Sequence, residues 1–417
     1  MAHLLMIESW VGGTGRIFPP AITALGHRYT FVTRNRGHYL DARTREIHPV
    51  IEHAEHVLTA ETNDVEALIA FLRHQHEVLH FDGVVTICDY YVDTVAQVAA
   101  ALGLPQAFSA NVAMTRRKDL VREALQRAGL PNPRFAVTTA WDATREAART
   151  IGYPLVIKPT DLASSAFVRR IEDETQLREA FDAIDGFKRN FREQPREARW
   201  LLEEFMHGEE VSVEAVTFAD ETTVLGITDK SITGAPYFIE DGHMFPARLD
   251  EATRVQVEAL VRGALAAVGH DHGISHTEVK LTADGPRIVE INPRPGGNYI
   301  AELVEQVTGV DLLRVQIELA LGQRPTLQPR DTGVRSAAIA FLVPPRGGKV
   351  SALRGLDTLS EDPNLHRCSI AALQDVELSA PIDNGCYLGH VVAIARDGTH
   401  ARDHAQRALG RLELAYA

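Results

Sequence analysis

Along the first 112 residues the apolar and polar positions switch repeatedly between two periods. Short apolar runs at 3–8, 29–33 and 81–87 read as buried strands. The 3.6-residue spacing at 65–79 and 94–102 reads as helices, the second stopped by Gly103. A further helix follows the Gly12-Gly13-Thr14-Gly15 turn, through about Leu25. Strands alternating with helices predict an open parallel α/β sheet. Ligands of such sheets sit at the carboxyl ends of strands, so the 12–15 turn and Asp89 are candidate substrate-side groups.

From residue 113 the pattern changes. Residues 114–128 form one amphipathic helical stretch, ended by Gly129 with Pro131 beyond, and Lys118 lies in its first turn or just before. Strands at 134–138 and 153–158 follow, the second closing in Lys158-Pro159. A lysine there is either an edge charge escaping to water or a phosphate ligand. Residues 160–167 (TDLASSAF, with Ser164 and Ser165) read as an ordinary turn or as a mobile phosphate-covering loop. Residues 175–199 are charged and helical, a solvated lid surface. Strands at 200–205 and 211–218 bracket Glu203, Phe205-Met206 and Glu210. These carboxylates are hairpin-end charges, or else an adenine edge meets the Met206 backbone and a ribose meets Glu210. His243, in the polar segment 237–248, reads as a loop histidine. Residues 251–268 form an amphipathic helix, 301–322 one or two helices, and 323–333 a turn-rich boundary. The last unit has strands at 336–342, 348–351 and 387–395 and a helix at 400–412, with no legible chemistry.

The densest chemistry lies at 274–300. Two alternating runs, 275–282 and 286–292, are joined by Ala283-Asp284-Gly285, a hairpin signal. Period-2 pleating puts Glu278 and Lys280 on one face of the first strand, and Glu290 and Asn292 on one face of the second. Val279, Leu281, Val289 and Ile291 then point into a core. Pairing brings Glu278, Glu290 and Asn292 together as an all-oxygen cluster suited to Mg²⁺. Arg294 follows directly, and Gly296-Gly297 lets backbone approach a ligand. A plain solvated hairpin accounts for each acidic residue singly, but not for the Asn-Pro-Arg-Pro-Gly-Gly that follows them.

Composition narrows the class. The 417 residues suggest roughly two to four domains. A net charge of −13 with no basic run argues against nucleic-acid binding. No run of 18 apolar residues exists to span a membrane, and the N-terminus lacks the marks of a signal peptide. Cys88, Cys368 and Cys386 are few and far apart, which predicts free thiols in a reducing cytoplasm. The 18 histidines form no zinc framework. The glycine turn at 12–15 alone is a weak dinucleotide signal. The expected acidic residue is absent, and Arg34 would suit a 2′-phosphate better.

Taken in order, MTRRKDLVREALQRAGLPNP, GYPLVIKP, WLLEEFMHGEEVSVEAV and HTEVKLTADGPRIVEINPRPGG resemble the ATP-grasp superfamily over roughly residues 1–330. The resemblance implies that fold class: α/β and α+β, with an N-terminal open parallel α/β domain (1–112) and an ATP-grasp domain (113–330). The latter has a lid at about 135–200 and an antiparallel nucleotide-binding core, and a C-terminal α+β cap covers 331–417. It implies ATP contacts at Lys118, Lys158, Ser164, Ser165, Glu203, Glu204, Phe205, Met206 and Glu210. It also implies two Mg²⁺, or Mn²⁺ in their place, at Glu278, Glu290 and Asn292. Lys158 and Arg294 would stabilise the transferring phosphoryl group. The phosphate loop departs from the family in having no glycine at 160–167.

Within the superfamily the chain looks most like L-amino-acid ligases, through Gly242-His243-Met244-Phe245-Pro246-Ala247 and Arg294-Pro295-Gly296-Gly297. That implies an amino-acid pocket with His243, Arg294, Gly296, Gly297 and Asp89. It also implies a carboxylate–amine ligase acting on small molecules through an acylphosphate, with a homodimer as one arrangement. Competing readings are a non-catalytic ATP-binding module, a biotin-type carboxylase or purine-pathway ligase, and an NADP oxidoreductase.

Overall fold

The computed structural model describes residues 1–40 and 46–417. At its N-terminus four parallel strands run in the order His56–Thr59, Arg28–Thr33, His3–Ile7, Gly83–Val85. Leu4, Leu5, Met6 and Ile7 are all fully buried. An uninterrupted apolar strand of this kind has both faces covered by helices, here including Thr14–Ala24 and Val65–Leu79. Residues 12–13 and Asp89 both stand at the carboxyl end of this sheet. Gly15 is obligatory in the turn, because a Cβ there would lie 1.9 Å from the Trp10 carbonyl oxygen.

The stretch expected as one helix from 114 is two, Val112–Arg116 and Lys118–Arg127. Arg117 between them is extended, with φ −95° and ψ 105°. The break puts Lys118 at the start of the second helix, where its backbone nitrogen donates to the Thr160 carbonyl at 3.2 Å.

The segment expected as a lid forms an antiparallel sheet in the order Phe135–Thr138, Trp200–Glu204, Leu155–Pro159, Arg169–Ile171. Helices Trp141–Ile151 and Glu174–Gly186 share its core, where the Phe181 and Trp200 rings stack at 4.3 Å. The helix expected through 199 stops at Gly186. Residues 187–199 are irregular and bend through a turn organised by the Asn190 side chain, a side-chain–backbone bond that competes with helix.

The central sheet is eight-stranded and antiparallel: Gly285–Asn292, Gly273–Thr282, Glu209–Phe218, Glu221–Thr233, Ile239–Phe245, Ser336–Phe341, Gly389–Ala395, Leu365–Ile370. Its apolar face packs against helices Glu251–Ala267 and Lys118–Arg127, through Val211, Val213, Leu260, Val261 and Ile288. The last three strands come from beyond residue 330, so the final segment extends the same sheet that carries the hairpin. Strand Leu365–Ile370, unanticipated from the sequence, is an edge strand with three of its six residues polar, histidine, arginine and serine. The expected helix at 400–412 ends at Leu409, and Glu413–Tyr416 turns back as a strand beside Gly348–Arg354.

A β-bulge between Glu278 and Val279 changes which side chains the hairpin buries. Glu278 pairs with Glu290 and Val279 pairs with Ile288, leaving Val289 as the extra residue. Ile288 therefore joins the core, and Val289, expected there, faces the cavity instead.

Candidate active site

The polar face of the central sheet, the lid and the N-terminal unit enclose a cavity of about 350 Å³. Its floor is a grid set by strand register. One row reads Lys280, Glu210, Lys230, His243 across four strands. The next reads Glu290, Glu278, Ser212, Thr228, and a third places Asn292, His276 and Glu214 side by side. Residues directly opposite in a sheet share a face, so this register turns a charge pattern spread over 83 residues into one surface.

Lys230 is the hub of the first row. Its ammonium, 1% exposed, lies 3.1 Å from Glu210, 3.0 Å from Glu240 and 2.5 Å from Glu278. Burial alone would lower it, but the three carboxylates raise it well above the ordinary lysine value. Burial would likewise raise Glu278, yet Lys230 and His276 bring it down to about 2. His276 bridges the fully buried Glu214 (2.9 Å) and Glu278 (3.5 Å). Burial opposes its charge, but the paired carboxylates raise it to about 9, so it is cationic at neutral pH.

Glu278 and Glu290 stand directly opposite one another with Asn292 in the adjoining row. Like charges so placed repel unless a cation lies between or beside them. Lys118 Nζ approaches Glu290 at 3.0 Å and also donates to the Leu162 carbonyl. Among the described residues no three His, Cys, Asp or Glu are grouped to hold a metal by themselves. The candidate donor set is thus two carboxylates completed by the Asn292 amide. Those hard oxygens fit Mg²⁺, which keeps several positions for water and phosphate.

At the other end Val156, Val168, Phe238 and Met206 make an apolar slot suited to a planar base. Glu203 lines it, but its carboxylate is occupied. Oε2 is 2.7 Å from Lys158 Nζ and Oε1 accepts from Arg122 Nε. Burial opposes its charge, and the two cations hold it at about 2. Lys158, buried beside it, is lowered by desolvation. Glu204 also lines the cavity while pairing with Arg134 and Arg287. Ser164 and Ser165 reach the cavity from the glycine-free loop with φ of 62° and 56°. Left-handed backbone costs a non-glycine residue about 1 kcal/mol or more, so here serines hold a shape that glycine adopts freely.

On the N-terminal side Arg294 Nε donates to Asp89 Oδ1 at 2.6 Å, and Trp10 Nε1 donates to Asp89 Oδ2 at 2.9 Å. Asp89 is thereby held ionised and acts as a bracket for Arg294. Gly297 lines the cavity beside Arg294, but Gly296 does not. A Cβ at 296 would lie 2.9 Å from Ile300 and 3.0 Å from His276, so that glycine serves close packing. His243 also departs from expectation. It lies in the strand Ile239–Phe245, not a loop, and is fully buried, with Nε2 3.2 Å from Glu240 and its ring 6.1 Å from Phe341. It reaches the cavity only through Glu240.

Sequence reasoning missed Lys230, Glu240, His276, Tyr387, Asn298 and Trp10. His276 was within reach, being two residues from Glu278 on the same pleat. Tyr387 and Asn384 come from the last unit, which had no legible chemistry. The Tyr387 hydroxyl donates to the Glu240 carbonyl at 2.7 Å, and Asn298 Nδ2 donates to Glu240 Oε2 at 2.8 Å.

Three family models match this chain in succession: an ATP-grasp N-terminal domain over 21–106, an ATP-grasp domain over 151–302, and the L-amino acid ligase C-terminal domain 2 over 340–417. The chain belongs to the ATP-grasp superfamily. As an ATP-grasp protein it superposes on the crystal structure of an L-amino acid ligase from Bacillus licheniformis with a TM-score of 0.83. That match is at 22% identity and covers 100% of this chain and 99% of the other. Carnosine synthase 1 of Homo sapiens is 31% identical over 60% of this chain. Alanine–anticapsin ligase of Bacillus subtilis strain 168 is 26% identical over 58%. The aligned region spans only 32% and 54% of those two curated relatives. Among the described residues no helix is long and apolar enough to cross a membrane.

Proposed function

We propose that this ATP-grasp protein is an ATP-dependent carboxylate–amine ligase that joins an amino acid, or another small carboxylic acid, to an amino acid. The observation that carries the reading is the convergence of Lys118, Lys158 and Arg294 with Glu278, Glu290 and Asn292 on one cavity. A module that only bound nucleotide would have no use for an arginine bracketed by a buried aspartate at the far end. The named relatives, two of them amino-acid ligases by name, and the C-terminal match favour amide formation over the carboxylation chemistry of other proteins with this fold. Units 1–112, 113–330 and 331–417 are assigned to acid binding, activation and closure of the pocket. The reading places the protein in the cytoplasm, where ATP and free amino acids meet.

In this mechanism ATP lies with its base in the apolar slot and its triphosphate over the charged rows. Glu278, Glu290 and Asn292 would hold Mg²⁺, one ion or two, which when bound neutralises phosphate charge. The acid's carboxylate oxygen attacks the γ-phosphorus in line, and the bond to ADP breaks. Lys118, Lys158 and Arg294 face the negative charge spread in that transition state. The amine then attacks the acyl carbon of the acylphosphate, phosphate leaves, and the nitrogen loses its proton. The lid excludes water, which would otherwise hydrolyse the activated acid. His243, sealed behind Glu240, stands 3.2 Å from that carboxylate and orients it.

The test is ADP and phosphate release from Mg-ATP over pairs of amino acids and small acids, with products weighed by mass spectrometry. Pair-dependent release, with a product equal in mass to both substrates minus water, is expected. Tight ATP binding with no release for any pair would overturn the reading.

A further inference from the structure

Residues 187–199 leave the lid sheet and run against the N-terminal unit. Asn190 builds a turn there. Its Oδ1 accepts from the backbone nitrogens of Arg192 (2.8 Å) and Gln194 (3.1 Å), and its own nitrogen donates to the Gln194 carbonyl at 2.9 Å. Glu193 in that turn is left-handed, with φ 63°. The turn aims one side chain, Arg192, into the other unit. Arg192 is 5% exposed while the adjacent Phe191 is 46% exposed. Burying the cation and leaving the ring in water reverses the ordinary preference, so something specific must hold the guanidinium.

The holding contacts are visible from both sides. The Arg192 guanidinium donates to the Ser9 carbonyl and lies 5.6 Å from the Trp10 ring centre and 5.7 Å from that of Tyr39. The N-terminal unit grips the same residue's backbone. Asn63 Nδ2 and Arg34 Nη2 donate to the Arg192 carbonyl at 2.8 and 3.3 Å. Gln194 Nε2 donates in return to the Tyr90 carbonyl at 3.1 Å. Trp10 carries the contact onward, through its bond to Asp89, to Arg294 in the cavity.

We propose that Arg192 is a positioning residue that latches the lid segment to the N-terminal unit and, through Trp10 and Asp89, sets the orientation of Arg294. Docking of the lid and readiness of the cavity's arginine are then one event. Activation of the acid is thereby confined to the closed enzyme, where the activated acid is shielded.

The coupling part of this inference rests on the ligase reading; the latch itself does not. Arg192→Met keeps the stem and removes the guanidinium. Asn63→Ala releases the same residue's carbonyl from the other side. Both variants should bind ADP within about twofold of wild type yet form amide about tenfold more slowly or worse, since small misplacement of a reacting group is costly. ADP released per amide should rise above one as activated acid is lost to water. Combined with Asp89→Asn, Arg192→Met should add little further loss, because both act through Arg294. Chymotrypsin should cleave at Phe191 several-fold faster in Asn63→Ala than in wild type. Unchanged cleavage in Asn63→Ala removes the latch. Fully additive losses, or coupling that stays at one ADP per amide, removes the link to Arg294. A wild-type enzyme that forms no amide with any pair would sink the ligase reading, and the cleavage assay would still decide the latch.

Discussion

Glu203→Gln tests the electrostatic core of the proposed nucleotide end. Glu203 is 3% exposed and stands between Arg122, 1% exposed, and Lys158, 5% exposed. Arg122 also donates to the Ile288 and Val289 carbonyls at 2.8 and 3.0 Å, so it anchors the bulge of the hairpin. The carboxyl group falls from 4.5 to about 2 because Arg122 and Lys158 outweigh its burial. A shift of that size corresponds to about 3 kcal/mol, close to the usual cost of breaking a buried ion pair from one side. Glutamine preserves the shape but leaves two buried cations without their shared anion. Urea unfolding at pH 7 should therefore show a loss of about 3 kcal/mol. The sign with pH follows from the depressed value. The carboxylate contributes fully above about pH 4.5 and progressively less as pH falls toward 2. The gap between wild type and variant should be flat from pH 5 to 8 and should narrow by pH 3. A gap below about 1 kcal/mol at pH 7, or one undiminished at pH 3, would refute the reasoning. Calorimetry should show ADP affinity falling about tenfold as Lys158 loses its anchor, a change of about 1.4 kcal/mol.

Glu290→Gln should abolish turnover while leaving the circular dichroism spectrum unchanged; full activity would remove Glu290 from the reacting centre. Lys158→Ala should raise the KM for ATP sharply, and a normal KM would take that lysine off the phosphates. Lys230→Met leaves Glu210, Glu240 and Glu278 without their common cation. It should lower stability by about 3 kcal/mol or more, and a variant as stable as wild type would show that the carboxylates are held otherwise. His243→Ala should change the preference among acids more than the KM for ATP, acting through Glu240; loss of nucleotide binding alone would contradict that.

Much of the candidate face was legible because strand periodicity is local. Period-2 alternation at 275–292 placed Glu278, Glu290 and Asn292 together, and the ends of buried runs marked Lys158 and Asp89. Alternation also has a definite blind spot. It assumes an unbroken ladder, so the bulge that turned Val289 outward and Ile288 inward could not be read from it. His243 was misplaced for a related reason. The polar residues around it look like a loop, yet the strand lies between two others in the middle of the sheet, where its side chain is sealed by Glu240 and Phe341.

By itself the sequence determined many of the short segments that pleat or coil, and which of them carry the hard oxygens and cations. Those outcomes depend on neighbours a few residues away. Only the tertiary structure decided how they meet. Lys230 gathers carboxylates from three other strands, Tyr387 arrives from the last unit, and Arg192 crosses from the lid to Trp10. Each of these contacts depends on register and sheet order, and those are set by burial over the whole molecule. The buried charges of this cavity are tolerated where distant parts of the chain deliver their partners, and local pattern carries no record of such a partner.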